Sequence, residues 1–320
     1  MHDIESALGQ PLVDLRPDEW KARLLAQARA EGEAYELGDR HLATFIDRSP
    51  TLLVTFETMQ GIRAMSETGH PIGFELVRKR NWSHLCMISD GDTWFRDSNV
   101  YAFFDRAIDN GVLEGFDKVV FYGAGPCGYA AAAFSVAAPG STVIAVQPQA
   151  TLDPRMTEWD DRFTEMRRVS FSDRFGYAPD MLDAANRAFV LYDPGQQLDA
   201  MHAALFARPN VTRLRMRHMG TELQTRLIEM NLLFRLLTMA ADGTLTEMEF
   251  YRMFRARRAS PHYLRMLRNI LEQQQRPYLE VMLCRNAVAR LPVRRLRRRL
   301  ERLEHLAAEG AFTAPPERSP

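Results

Sequence analysis

The chain has 320 residues, 46% of them hydrophobic and 26% charged, with 41 basic and 41 acidic side chains and a formal net charge of zero. These figures suit a globular protein with a sizeable core, and they exclude the chain-wide polybasic or polyacidic balance that marks nucleic-acid or membrane-surface binders. The three cysteines, Cys86, Cys127 and Cys284, lie far apart without metal-ligand spacing, so no metal or other cofactor is expected and a reducing cytoplasm is the simplest location.

The opening segment "MHDIESALGQPLVDLRPDEW" is acidic and lacks an apolar centre, so it does not read as a signal peptide; no run is long enough to span a bilayer. Residues 17 to 36 predict an amphipathic helix opened by Pro17, with Asp18 and Glu19 in the first turn. Short apolar runs then alternate with helical patterns. Strands are predicted over residues 52–57, 84–89, 118–122, 142–146, 188–192 and 211–216, and helices over 98–110, 127–137 and 197–207. Such alternation predicts a doubly wound, mostly parallel α/β sheet. Beyond residue 220 only leucine, methionine and phenylalanine at spacings of three and four recur, as in stacked helices. The expected organisation is an N-terminal helical segment over 1–45, the α/β domain over 46–222, a helical module over 223–309 and a disordered proline-rich tail over 310–320.

The stretch "FYGAGPCGYAAAA" lies between a predicted strand and a helix. Gly123, Gly125 and Gly128 satisfy G-x-G-x-x-G, whose backbone N–H groups could hold a pyrophosphate. That fingerprint also asks for an acid at the end of the next strand, and Gln147-Pro148-Gln149 stands there instead. A second reading is the nucleophile elbow, a turn so tight that only small residues fit on either side of the nucleophile. "YGAGPCGYAA" resembles the "YGSSMGGYAA" elbow of α/β-hydrolase-like proteins, some of them associated with polysaccharide and glycosylation systems. On that match Gly123 and Cys127 take the small positions, Gly128 and Tyr129 follow, and Gly125 stands where the serine would be. The likeness covers roughly residues 50 to 225, including "PQATLDPRMTEWDDRF" at 148–163.

Asp193 after "AFVLY" and His218 after "VTRLRM" come in the order that the hydrolase acid and base require. Asp193 before Pro194 is also an ordinary turn residue, and His218 an ordinary loop histidine. Cys127 at a helix N-terminus is the one nearby substitute for the missing serine, with a thiol expected to be acidified there. A cysteine in a tight turn also serves simply as a small packing residue. His84 and His202, inside a strand and a helix, are expected to be structural.

The "FYGAG-x-CGYAAAA" signature also resembles alphaproteobacterial, hence bacterial, proteins labelled phosphoadenosine phosphosulfate reductase. The Ser-Gly-Gly-x-Asp loop and C-terminal Cys-Gly segment of such reductases are absent, and Cys284 lies mid-helix beside Met282 and Leu283. "RLPVRRLRRRLERLEHL" predicts an arginine-rich amphipathic helix without interleaved aromatics, read as a solvated face rather than a nucleic-acid site. The reading that follows is a hydrolase-like pseudoenzyme with glycine at the nucleophile position. Gly123, Gly125, Pro126 and Gly128 form its ligand loop, and it binds an unidentified small-molecule or glycan-related ligand, with the helical module open to a protein partner. The alternatives are a cysteine-dependent acyl or ester hydrolase or transferase using Cys127, His218 and Asp193, and the sulfonucleotide reductase implied by the label.

Overall fold

The computed structural model describes residues 9–316. The first eight residues of the opening segment and the last four of the tail lie outside that range. The chain divides into two compact units, one made of residues up to 217 together with 221–250, the other of 218–220 and the residues from 251 onward.

The first unit carries an eight-stranded sheet. Its strands are β1 (Glu33–Leu37), β2 (His41–Ile46), β3 (Thr51–Thr58), β4 (Ser83–Ser89), β5 (Lys118–Ala124), β6 (Thr142–Val146), β7 (Arg187–Tyr192) and β8 (Val211–Arg215). They lie in the order β1-β2-β4-β3-β5-β6-β7-β8. β2 runs antiparallel to both neighbours, and all other pairs from β4 to β8 are parallel. All six predicted strands are present, and the predicted doubly wound, mostly parallel sheet is the observed one.

Helices α1 (Pro17–Glu31), α2 (Met59–Met65), α3 (Ile72–Arg80), α4 (Ser98–Asp109), α5 (Pro126–Phe134), α6 (Pro154–Thr157), α7 (Ala178–Met181), α8 (Gln197–Leu205), α9 (Leu223–Glu229) and α10 (Leu233–Ala241) complete this unit up to a further helix, α11 (Glu247–Met253). Every residue of β4 is buried, because both faces of the sheet are covered. On one face Phe56, Met87 and Phe121 pack with Phe104 of α4 and the alanine run of α5. On the other, Cys86 and Ile88 pack with Trp20 and Leu24 of α1, Ile62 of α2 and Phe74 of α3.

Two expected boundaries move. The helix predicted over 17–36 stops at Glu31, and residues 33–46 form a hairpin that extends the sheet, so 1–45 is not a separate helical segment. Gly32 makes this exchange possible, since a Cβ there would overlap the carbonyl oxygen of Phe45. β1 is a polar edge strand whose glutamates mimic a helix surface, which is why the pattern continued past its end. Helices α9 and α10 also belong to the first unit rather than to the helical module, because Leu233, Leu236 and Leu237 are buried where α10 lies against β5 and β6.

The second unit contains α12 (Pro261–Gln273), α13 (Pro277–Val288) and α14 (Arg294–Ala308). Leu264, Cys284, Ala287 and Leu296 form its core. Glu280 of α13 is buried and receives a two-pronged guanidinium from Arg299 of α14, with Nε to Oε1 at 2.7 Å and Nη2 to Oε2 at 2.9 Å. The expected disordered tail is ordered at least to Pro315, whose buried carbonyl accepts from Arg285 Nη1 at 2.8 Å.

Candidate functional site

The glycine-rich turn connects β5 to α5 at the carboxyl edge of the sheet. Gly125 has φ 58° and ψ −126°, a left-handed region in which a side chain is strained. Its N–H donates to the Val146 carbonyl at 2.8 Å, and its own carbonyl accepts the Tyr129 N–H at 3.1 Å. A Cβ on Gly123 would overlap the Cys127 carbonyl, and one on Gly128 would come within 2.9 Å of the Val146 carbonyl. Around Gly125, by contrast, a Cβ would meet nothing within 4 Å. The turn therefore has an open, strained apex at 125, with positions 123 and 128 closed to a Cβ by neighbouring backbone.

Two chemical groups of a working elbow are missing from it. Gly125 has no side chain at the apex. Pro126, the next residue, has no backbone N–H, and in an elbow the N–H after the nucleophile is one of the two oxyanion-hole donors. Proline at the first helical position suits α5 as a helix start, since the missing N–H has no partner there in any case. The dinucleotide position opposite the turn, Gln147, is occupied otherwise: its Nε2 donates to Asp199 at 2.9 Å and its Oε1 accepts the Leu223 N–H at 3.0 Å.

Cys127 is 6% exposed, and its thiol is held well above the ordinary cysteine range by burial first and then by the carboxyl groups of Glu57 and Asp92. The acidified thiol expected at a helix N-terminus is not found, because burial and the two carboxyl groups oppose the dipole. A thiol-reactive probe at neutral pH is accordingly expected to label Cys127 no faster than Cys86 or Cys284 in the native protein. Rapid selective labelling of Cys127, read by mass spectrometry, would show a reactive thiolate. Cys284 is buried in α13 with its thiol pushed up to about 11 by burial, and it offers no exposed redox cysteine.

Asp193 follows β7, is 2% exposed, and its Oδ1 accepts the Gly195 N–H at 2.9 Å, the hydrogen bond of a turn aspartate. His218 falls in the helical unit with φ 65°, its ring centre 6.4 Å from that of Tyr263. Within the first unit, the groups gathered around the turn are Cys127 with Glu57 and Asp92. His202, expected to be structural, is bound on both ring nitrogens: Nδ1 accepts the Ala150 N–H at 3.1 Å and Nε2 lies 2.8 Å from Asp160. Arg162 ties Asp160 to Asp199, at 2.8 and 2.6 Å, so this network fixes the segment after β6.

Sequence reasoning did not single out a row of polar side chains on the α2–α3 face of the sheet. Thr55 pairs in register with Cys86 on one side and Tyr122 on the other, and His84 and Glu57 lie two residues along on the same face. The Thr55 hydroxyl donates to Glu57 Oε1 at 2.8 Å and lies 2.9 Å from His84 Nε2. The Cys86 thiol donates to the same Oε1 at 3.5 Å, and the Ile72 N–H is shared between both Glu57 oxygens at 3.1 Å. Glu57, His84 and Cys86 have their ligand atoms within 4.8 Å of one another. The Thr55 hydroxyl bonds to two of the three, while the buried Nδ1 of His84 has no hydrogen-bond partner among the described residues. Burial holds His84 down to about 3, hence neutral. Burial also raises the Glu57 carboxyl to about 7, against the opposing pull of Ile72, Thr55 and Cys86.

Glu57 forms part of the wall of two neighbouring cavities. One, of about 130 Å³, lies against the turn and is lined by Thr58, Asp92, Ala124, Pro126, Cys127 and Gln224 among others. The second, of about 300 Å³, continues past Gly61, Ile62 and Met65 to His70, Arg78 and Asn231. The sequence signal for this cleft was the pair of polar residues at alternate positions in the otherwise apolar strand "LLVTFET".

No family model matches the chain, and no curated protein matches it. Solved structures similar to it include a thermostable carboxylesterase from a metagenomic library, 15% identical over 72% of this chain and 97% of that one, with a TM-score of 0.40. The hyperthermophilic esterase of the archaeon Pyrobaculum calidifontis is 15% identical over 72% of this chain and 91% of its own, at 0.41. A glycosylation-associated protein complex of Streptococcus agalactiae is 10% identical over 64% of this chain and 45% of its own, at 0.41.

Proposed function

We propose that this protein is a hydrolase-like pseudoenzyme that binds a small molecule without covalent attack, in the cleft between the β5–α5 turn and Glu57. The observation that carries this reading is the apex itself: an elbow backbone with Gly125 at the nucleophile position and no N–H on the following residue. Acyl transfer needs an attacking group and donors for the developing oxyanion. Residues 125 and 126 supply neither. What the site retains is shape, an apolar wall from Phe56, Ile62 and Met65, and a carboxyl group able to donate or accept a hydrogen bond near neutral pH.

The reading predicts no turnover of short- and medium-chain acyl esters above the uncatalysed rate, with the Cys127→Ala and His218→Ala variants indistinguishable from the native protein. Saturable shifts of the Gly123, Gly128 and Thr58 amide resonances with a panel of small neutral and acidic molecules would identify the ligand class. Ester hydrolysis that is lost in Cys127→Ala, His218→Ala and Asp193→Asn alike would replace this reading with the cysteine-dependent triad.

A further inference from the structure

Charge is not spread evenly along this neutral chain. The helical unit holds sixteen arginines and no lysine against six glutamates, a formal charge of +10, which leaves −10 on the rest. Three of the five acids among its described residues are already ion-paired with arginine: Glu272 and Glu280 with Arg299, and Glu304 with Arg285. Arg294, Arg298 and Arg302 stand exposed along the outer face of α14, one turn apart, with Arg295 and Arg297 on its flanks. None of these five makes an ion pair among the described residues.

We infer that the outer face of α14 is a docking surface for the phosphate backbone of double-stranded nucleic acid. Successive arginines four residues apart are about 6 Å apart along a helix, so the three span about 12 Å. A duplex carries one charge per about 1.7 Å of its axis and meets such a row with several phosphates at once. Guanidinium groups bind phosphate oxygens in pairs of parallel hydrogen bonds, which suits a unit whose cations are all arginine. No aromatic side chain lies in α14, so base stacking on a single strand has no platform. A bilayer is disfavoured because α14 has already spent its apolar face: Leu296 and Leu303 are buried within the unit. The acidic unit of a second copy is a poorer match, since Asp105, Asp153, Asp160, Asp173, Asp180 and Asp199 are ion-paired within their own unit. The arginine-rich helix was visible in the sequence and read there as a solvated face; its lack of acidic partners was not.

The test is fluorescence anisotropy of a labelled 20-base-pair duplex of arbitrary sequence, titrated with the full-length protein from 50 to 300 mM NaCl. Binding is expected at the low-salt end, with little sequence preference and a log–log salt slope of about −3 to −5, corresponding to four or five phosphate contacts. The Arg294→Gln/Arg298→Gln/Arg302→Gln variant should reduce affinity at least tenfold at 50 mM NaCl and bring the slope about 2 to 3 closer to zero. These side chains are exposed, so its circular dichroism and melting temperature should match the native protein. Arg23→Gln/Arg29→Gln in α1 controls for loss of charge elsewhere and should leave binding unchanged. No binding at 50 mM NaCl, or equal binding by the triple variant, would overturn the inference. Two further results would do the same: association with phosphatidylglycerol vesicles in preference to duplex, or salt-reversible self-association abolished by the triple variant.

Discussion

Gly123→Ala is expected to destabilise the protein by about 3 kcal/mol or more, and Gly125→Ala by only about 1–2 kcal/mol. The two glycines stand two residues apart in one turn, yet their constraints are different in kind. At 123 the added Cβ overlaps the carbonyl of Cys127, which belongs to the first turn of α5 and cannot yield unless the helix moves off the sheet. The neighbouring contacts compound the cost, since Gly128 packs against the Val146 carbonyl on the other side of the same turn. At 125 there is no steric conflict, and the cost is the left-handed backbone alone. Urea unfolding of both variants checks the contrast. Equal effects, or a larger one at 125, would show that the turn is not held by the close approach of β5 and α5. Gly125→Ser should likewise fold, and joined to Pro126→Ala it returns to the turn both a hydroxyl and an N–H.

Glu57→Gln is expected to make the protein more stable than its parent in alkaline solution and to flatten its pH dependence. The folded carboxyl titrates near 7, against about 4.5 in the unfolded chain. Between these values the native state holds a proton that the unfolded state has released, so stability falls as pH rises through the window. Below about pH 4.5 both states are protonated and the contribution is whole. Above 7 the ionised, buried carboxylate costs about 3 kcal/mol, from 2.5 pH units at 1.36 kcal/mol each. Glutamine keeps an oxygen where Oε1 accepts from Thr55, Cys86 and Ile72, and it loses only the second arm of the Ile72 contact at Oε2. The stability difference between variant and parent should therefore grow by about 3 kcal/mol from pH 4.5 to pH 8.5, measured by denaturant unfolding across that range. The ionisable side chains closest in effect, Cys86, Cys127 and Tyr122, all have raised values from burial and stay neutral through the window. A difference that does not change with pH would mean that Glu57 ionises normally. On the proposed small-molecule reading, the same proton would make Glu57 a hydrogen-bond donor to the ligand below neutrality and a charged acceptor above it. Ligand affinity in the cleft should change across the same pH range.

The strands from β3 to β7 were legible because buried parallel strands are near-continuous apolar runs, as in "KVVFY" and "TVIAV". β1 was not, since an edge strand with one wet face carries the glutamates of a helix surface and reads as the continuation of α1. α9 and α10 have the same leucine spacing as α12 to α14, so periodicity could not tell which core each one joins. The small residues at fixed spacing around the turn were legible, and so was the lack of a side chain at 125. Pro126 was equally visible, but its meaning depends on knowing that 125 is the apex. That register rests on the φ of Gly125 and on which glycines touch backbone.

By itself the sequence determined the α/β class, the tight turn after β5 and the absence of a hydroxyl at its apex, because local patterns and single side chains fix these. Tertiary structure alone decided that Glu57, Thr55, His84 and Cys86 meet on one face, and that Glu57 lines the cavity beside Cys127. It also divided a neutral chain into a basic unit and an acidic one. Residues from different strands become neighbours through sheet register, and the protonation of Glu57 follows from how deeply that register buries it.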